Sequence, residues 1–176
     1  MVKVPTFNFS TTLNRDVKLT DYRGMNIVLV FHPKDNTGCI QEVSDFRARM
    51  QEFTALNTVV FGISRDSQSS HLHFKEKHSL PFEFISDRDE RFCKHFDVIR
   101  AKKLAGITYD SIVRSTFLIN TQGTVVKAWR NVEVAGHVAE VLDTVRDLDK
   151  NENPNHVPAE LLYGHKGELG RFVNMN

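Results

Sequence analysis

The chain holds two thiols, Cys39 and Cys93, and they stand in unlike surroundings. Cys39 follows the apolar run Ile27-Val28-Leu29-Val30-Phe31 and the breaking segment His32-Pro33-Lys34-Asp35-Asn36-Thr37-Gly38. From Cys39 onward, Val43, Phe46, Met50 and Phe53 recur at spacings of four, three, four and three, the period of one helix face. Cys39 is therefore expected at the head of a helix, where unpaired N–H groups and the positive end of the dipole favour a thiolate. A free thiol titrates at roughly 8.5, and such a position can lower that value; the thiolate is the nucleophile. Glu42, one turn later, pulls the other way, so a cation is required. Arg114 is the candidate, because it opens a strand-like run after a polar connector, and sites in α/β sheets assemble at strand ends. The same residues also allow a plainer reading, in which Cys39 is a small buried hydrophobe on the apolar stripe of its helix.

Elements able to position these groups follow from periodicity. Residues 27–31 and 58–63 read as strands buried on both faces. Ser67 to His78 reads as a helix with Leu72 and Phe74 on its apolar side. Phe82-Glu83-Phe84 alternates like a short strand, and Asp87-x-x-Glu90 resembles a capping box opening a helix through Phe92 and Phe96. Residues 100–110 read as an irregular connector. Runs 115–119 and 124–129 flank Asn120-Thr121-Gln122-Gly123 as a hairpin. A last helix from Gly136 to Leu148 carries the stripe Val138, Val141, Leu142, Val145 and Leu148, after which the composition turns polar. The order predicts a three-layer α/β/α domain over residues 1–148 with a central mixed sheet, a thioredoxin-like arrangement, and a polar extension over 149–176.

Composition removes several classes of function. A chain of 176 residues with 23 basic and 22 acidic side chains lacks the concentrated positive field of a nucleic-acid module. Its longest apolar run is residues 27–31, far short of the roughly 20 residues that span a bilayer. The N-terminus carries no apolar signal segment, so a cytoplasmic, reducing location is expected. Two cysteines make neither a disulfide scaffold nor a zinc cage. His71 and His78 could share a helix face, but no acidic or thiol partners lie at ligand spacing, so no metal is expected. Arg100, Lys102 and Lys103 form a small basic cluster of the kind usually found on a solvated connector.

Phe31-His32-Pro33-Lys34-Asp35-Asn36-Thr37-Gly38-Cys39, with Glu42, Phe46 and Arg47, resembles the peroxidatic segment of the peroxiredoxins, most nearly the bacterioferritin-comigratory (peroxiredoxin Q) branch. The resemblance continues through Val60-Phe61-Gly62-Ile63-Ser64, Asp66-Ser67, Ser70-His71-x-x-Phe74 and Lys77-His78-x-Leu80-Pro81-Phe82. It includes Ser86-Asp87-x-Asp89, Arg114-Ser115-Thr116-Phe117-Leu118-Ile119, Gly123-x-Val125-x-x-x-Trp129 and Gly136-His137-Val138-x-Glu140-Val141-Leu142. It spans residues 4–148.

The resemblance implies a thiol peroxidase with no cofactor. Cys39 would attack hydrogen peroxide or a small organic hydroperoxide and become a sulfenic acid. The Thr37 hydroxyl, the N–H groups of Gly38 and Cys39, and the Arg114 guanidinium would stabilise the developing charge. Pro33 would shield the sulfur, and Glu42 would orient Arg114. Two departures stand out. Only Gly38 separates Thr37 from Cys39, where the family has two residues, so the Thr37 hydroxyl is expected to be displaced from the family's position. Ser44 occupies the position five after Cys39 where many relatives carry a resolving cysteine, and no thiol lies near Lys75. Cys93, flanked by phenylalanines, reads as a packed helix cysteine, with a resolving role as the alternative. The expectation is a one-cysteine cycle in a monomer or homodimer, reduced by thioredoxin, glutaredoxin or glutathione. The competing expectation is a slowed redox sensor or partner-binding protein on the same fold.

Overall fold

Every residue of the apolar run becomes buried in β1 (Asn26–Phe31) of the computed structural model, which describes residues 3–13, 16–33 and 37–152, without the side chain of Thr37. A strand buried on both faces needs a layer on each side. Val28 and Val30 enter one hydrophobic cluster with Val43, Phe46 and Phe53, while Ile27, Leu29 and Phe31 enter the other with Phe92, Phe96 and Phe117. β1 lies at the centre of a five-stranded sheet. On one side it pairs in parallel with β2 (Thr58–Ser64), which pairs in parallel with β3 (Glu83–Ser86). On the other it pairs antiparallel with β6 (Ser115–Ile119), which pairs antiparallel with β7 (Val125–Arg130).

The helices α1 (Thr37–Ala55), α2 (Gln68–Lys77) and α4 (His137–Glu152) reach the first cluster through Phe46 and Phe53, Phe74, and Val138, Val141 and Val145. Phe9, a 3-10 turn at Leu19–Tyr22 and the short α3 (Arg91–His95) cover the other face. The expected three-layer α/β fold with a mixed sheet is present. Gly62 in β2 allows the ring of Phe84, its register partner on β3, to lie close over the strand, and a Cβ there would force that ring to shift.

Four local expectations change. Residues 100–110 are not irregular: β4 (Ile99–Leu104) and β5 (Ile107–Ile112) form a separate hairpin. Ala105 and Gly106 turn it with φ of 50° and 80°, the left-handed pair of a tight hairpin turn. It escapes periodicity because most of it packs on nothing, leaving no buried face to enforce alternation. In α2, Leu72 is on the exposed side at 38 % accessibility, and His71 is buried with Phe74 instead. Glu90 adopts a left-handed φ of 58° and α3 starts after it, so Asp87 and Glu90 form no capping box. The Asp87 carboxylate still caps the helix, accepting the N–H of Phe92 at 3.0 Å and of Cys93 at 2.8 Å. Finally, α4 continues to Glu152, past the composition change at 149; residues 153–176 and the expected loop at Asn14 and Arg15 lie outside the described residues.

Candidate active site

Cys39 lies in the first turn of α1, behind Thr37 and Gly38, and is fully buried. The antiparallel register of β1 on β6 pairs Phe31 with Ser115. The residue before Ser115 therefore stands at the end of β1 from which the chain leads into α1. That residue is Arg114. Its Nη2 donates to Cys39 Sγ at 3.5 Å, and its Nη1 donates to Glu42 Oε2. One cation thus bridges a sulfur and a carboxylate that are three residues apart on the same helix face. The Arg114 carbonyl accepts from Val132 N–H at 3.0 Å, which fixes the backbone from which the guanidinium reaches across.

Burial sets the electrostatics of this pair. Desolvation pushes the Glu42 carboxyl above its ordinary range, while the Arg114 charge and hydrogen bond pull it back. Its Oε1 has no hydrogen-bond partner among the described residues. Burial alone would loosen the proton on Arg114, but Glu42 and the Cys39 sulfur hold its pKa above that of a free guanidinium. Arg114 is therefore a fixed positive charge, and Glu42 orients it without displacing it from the sulfur.

The fold also brings in residues that were not assigned to the site from their types. Two residues along β6 from Arg114, Thr116 meets His137 Nε2 at 2.8 Å, and Trp129 stands edge-on to that imidazole with ring centroids 5.8 Å apart. Burial holds the His137 pKa low; nearby Glu140 opposes this and the Arg114 charge adds to it. Gly136-His137 was part of the family-like pattern, yet only the β6–β7 register, Thr116 opposite Trp129, places it behind Arg114. Pro33 is half-buried just beyond β1, and the Thr37 hydroxyl lies outside the described residues. Cys93 is not at this site. It is buried in the cluster on the other face of the sheet, where burial and the neighbouring Asp87 raise its thiol pKa strongly.

A buried cysteine at a helix N-terminus, faced by a carboxylate-anchored arginine, meets a sequence that matches the AhpC/TSA family over residues 2–128. The chain belongs to the peroxiredoxins. It is 45% identical over 149 residues to Peroxiredoxin Bcp of Bacillus subtilis, covering 84% of this chain and 95% of that one. To Peroxiredoxin Bcp of Xanthomonas campestris it is 41% identical over 144 residues, with 80% and 90% covered. A solved structure of the X. campestris bacterioferritin comigratory protein, described for its alkyl peroxide reduction activity, superposes with a TM-score of 0.80. That match has 38% identity and covers 85% of this chain and 99% of that one. This peroxiredoxin is a thiol peroxidase of the bacterioferritin-comigratory branch. No helix among its described residues is long and apolar enough to cross a membrane.

Proposed function

We propose that this peroxiredoxin reduces hydrogen peroxide and small organic hydroperoxides at Cys39, in a one-cysteine cycle completed by an external thiol. The observation that carries the reading is the Arg114 guanidinium on the Cys39 sulfur. In the forward step the thiolate attacks the terminal peroxide oxygen, the O–O bond breaks, sulfur is oxidised to sulfenic acid, and the departing oxygen takes a proton to leave as water or alcohol. Charge spreads from sulfur along both oxygens, and a cation already in place stabilises that spread more than it stabilises bound peroxide. Arg114 supplies the cation and Glu42 holds it. In this reading the Gly38 and Cys39 N–H groups at the head of α1 and the Thr37 hydroxyl act as further donors, and Pro33 shields the sulfur. Full burial of Cys39 limits access to small oxidants.

The one-cysteine cycle is supported by the placement of the two thiols. Cys39 heads α1, whose Val43, Phe46 and Phe53 pack on one face of the sheet, and Cys93 is packed among phenylalanines on the other. A disulfide requires Cα atoms within roughly 7 Å, and packing on opposite faces of the sheet works against that. The sulfenic acid is then reduced by thioredoxin, glutaredoxin or glutathione, in the cytoplasm, by a monomer or homodimer. Mass spectrometry after one equivalent of peroxide tests this. A gain of one oxygen on Cys39 is expected, whereas loss of two hydrogens with a Cys39–Cys93 crosslink overturns the one-cysteine cycle. Oxidation that no reductant reverses identifies a sensor instead, a reading that the shortened segment between Thr37 and Cys39 favours.

A further inference from the structure

The hairpin β4–β5 exposes apolar side chains to water. Leu104 and Ile107 are each 68% accessible and Tyr109 is 44% accessible. The register pairs Leu104 with Ile107 and Lys102 with Tyr109, so all four side chains share one face of the ribbon. Lys103 and Thr108, paired with each other, lie on the opposite face. The apolar face thus carries a lysine that has no ion pair among the described residues, whereas Arg100 is already engaged by both oxygens of Asp97.

A free two-stranded ribbon is marginal in water, and among the described residues this one is held from its base as far as Asp110. Ile112 is buried, Val113 N–H donates to Val98 carbonyl at 2.7 Å, and Arg65 Nη2 donates to the Asp110 carbonyl at 2.8 Å. Arg65 directly follows β2, and β5 runs through Val113 into Arg114. The ribbon therefore rises from the same end of the sheet as Cys39. An apolar centre beside a lysine with no ion pair among the described residues, on a ribbon from the sulfur's end of the sheet, fits a partner with an acidic rim around an apolar patch.

We propose that the Leu104/Ile107/Tyr109 face docks the reductant, and that this reductant is an acidic dithiol protein. This rests on the thiol peroxidase reading above. The docked partner's first thiol ionises and attacks the Cys39 sulfenic sulfur, the S–O bond breaks, and the departing hydroxyl takes the thiol's proton and leaves as water. Its second thiol attacks the mixed disulfide, so the partner leaves oxidised and Cys39 returns as thiolate.

An acidic thioredoxin with its reductase is the probe, and dithiothreitol is the small-molecule control. Lys102→Glu/Ile107→Ser should lower kcat/KM for thioredoxin about tenfold, with the dithiothreitol-supported rate unchanged. Lys103→Glu/Thr108→Ser, a matched change on the opposite face, should cost less than about twofold. Wild-type kcat/KM for thioredoxin should fall as salt rises from about 0.02 M to about 0.5 M, and the first variant should lose most of that slope. Equal losses in the two variants, or a wild type turned over by dithiothreitol but not by thioredoxin, overturn the docking face. No peroxide consumption with either reductant would instead overturn the peroxidase reading itself.

Discussion

Arg114 divides its guanidinium between a sulfur and a carboxylate, and the division decides what each substitution does. Cys39→Ser should abolish peroxide turnover, since no other thiol lies on that face of the sheet. Arg114→Lys keeps a charge but cannot fork to both partners, and stopped-flow oxidation should slow by about 100-fold. Arg114→Ala has a second consequence. It leaves the Glu42 carboxyl buried without its cation, so the folded-state pKa, already raised by burial, rises further. The folded variant then binds more protons than the unfolded chain just above the ordinary carboxylate range, and its stability falls as pH rises through that window. The deficit in melting temperature relative to wild type should therefore shrink between about pH 7 and about pH 5; a constant deficit would refute the role of Glu42. Cys39, Glu42 and Arg114 were legible as residue types: a thiol at a helix start creates a need for a cation. His137 was not, because its link to Thr116 exists only once α4 packs against β6.

At the level of elements, the ends of β2 and α2 are joined through buried polar groups. Ser64 Oγ meets His71 Nε2 at 2.6 Å and donates to Asp66 Oδ2 at 2.8 Å, and the His71 ring lies against Phe84. Burial lowers the His71 pKa from 6.5 to about 4, with Asp66 opposing. Between those values the unfolded chain takes a proton that the folded one refuses, so stability is retained above about pH 6.5 and lost as pH falls toward 4, by about 3 kcal/mol at most. Denaturant titrations at the two ends of that range should show the loss, and His71→Gln should remove most of it. Gly62→Val should force the Phe84 ring off β2 and cost about 1–3 kcal/mol or more, read as a lower denaturation midpoint. Periodicity identified α1, β1, β2 and the β6–β7 hairpin because each has a buried face. It missed the β4–β5 hairpin, which has almost none, and it placed Leu72 inward where the Phe84 side of α2 holds His71.

At the scale of the molecule, both hydrophobic clusters are built, among the described residues, from positions no later than Leu148. Truncation after Glu152 should therefore leave the melting temperature and the rate of Cys39 oxidation unchanged; loss of either would give residues 153–176 a structural part. Cys93 packs in the cluster on the sheet face opposite to the one that α1 covers. Sequence alone determined the layer order and the reactive end of the chain. Burial demands and helix polarity are written in local patterns of residue type, so they survive without coordinates. The contact of Arg114 with the sulfur, the histidine behind it and the sheet face on which Cys93 packs were decided by strand register and tertiary packing. The Arg114 contacts span 72 and 75 positions and the Thr116–His137 contact spans 21, and only the packing of the whole chain fixes them.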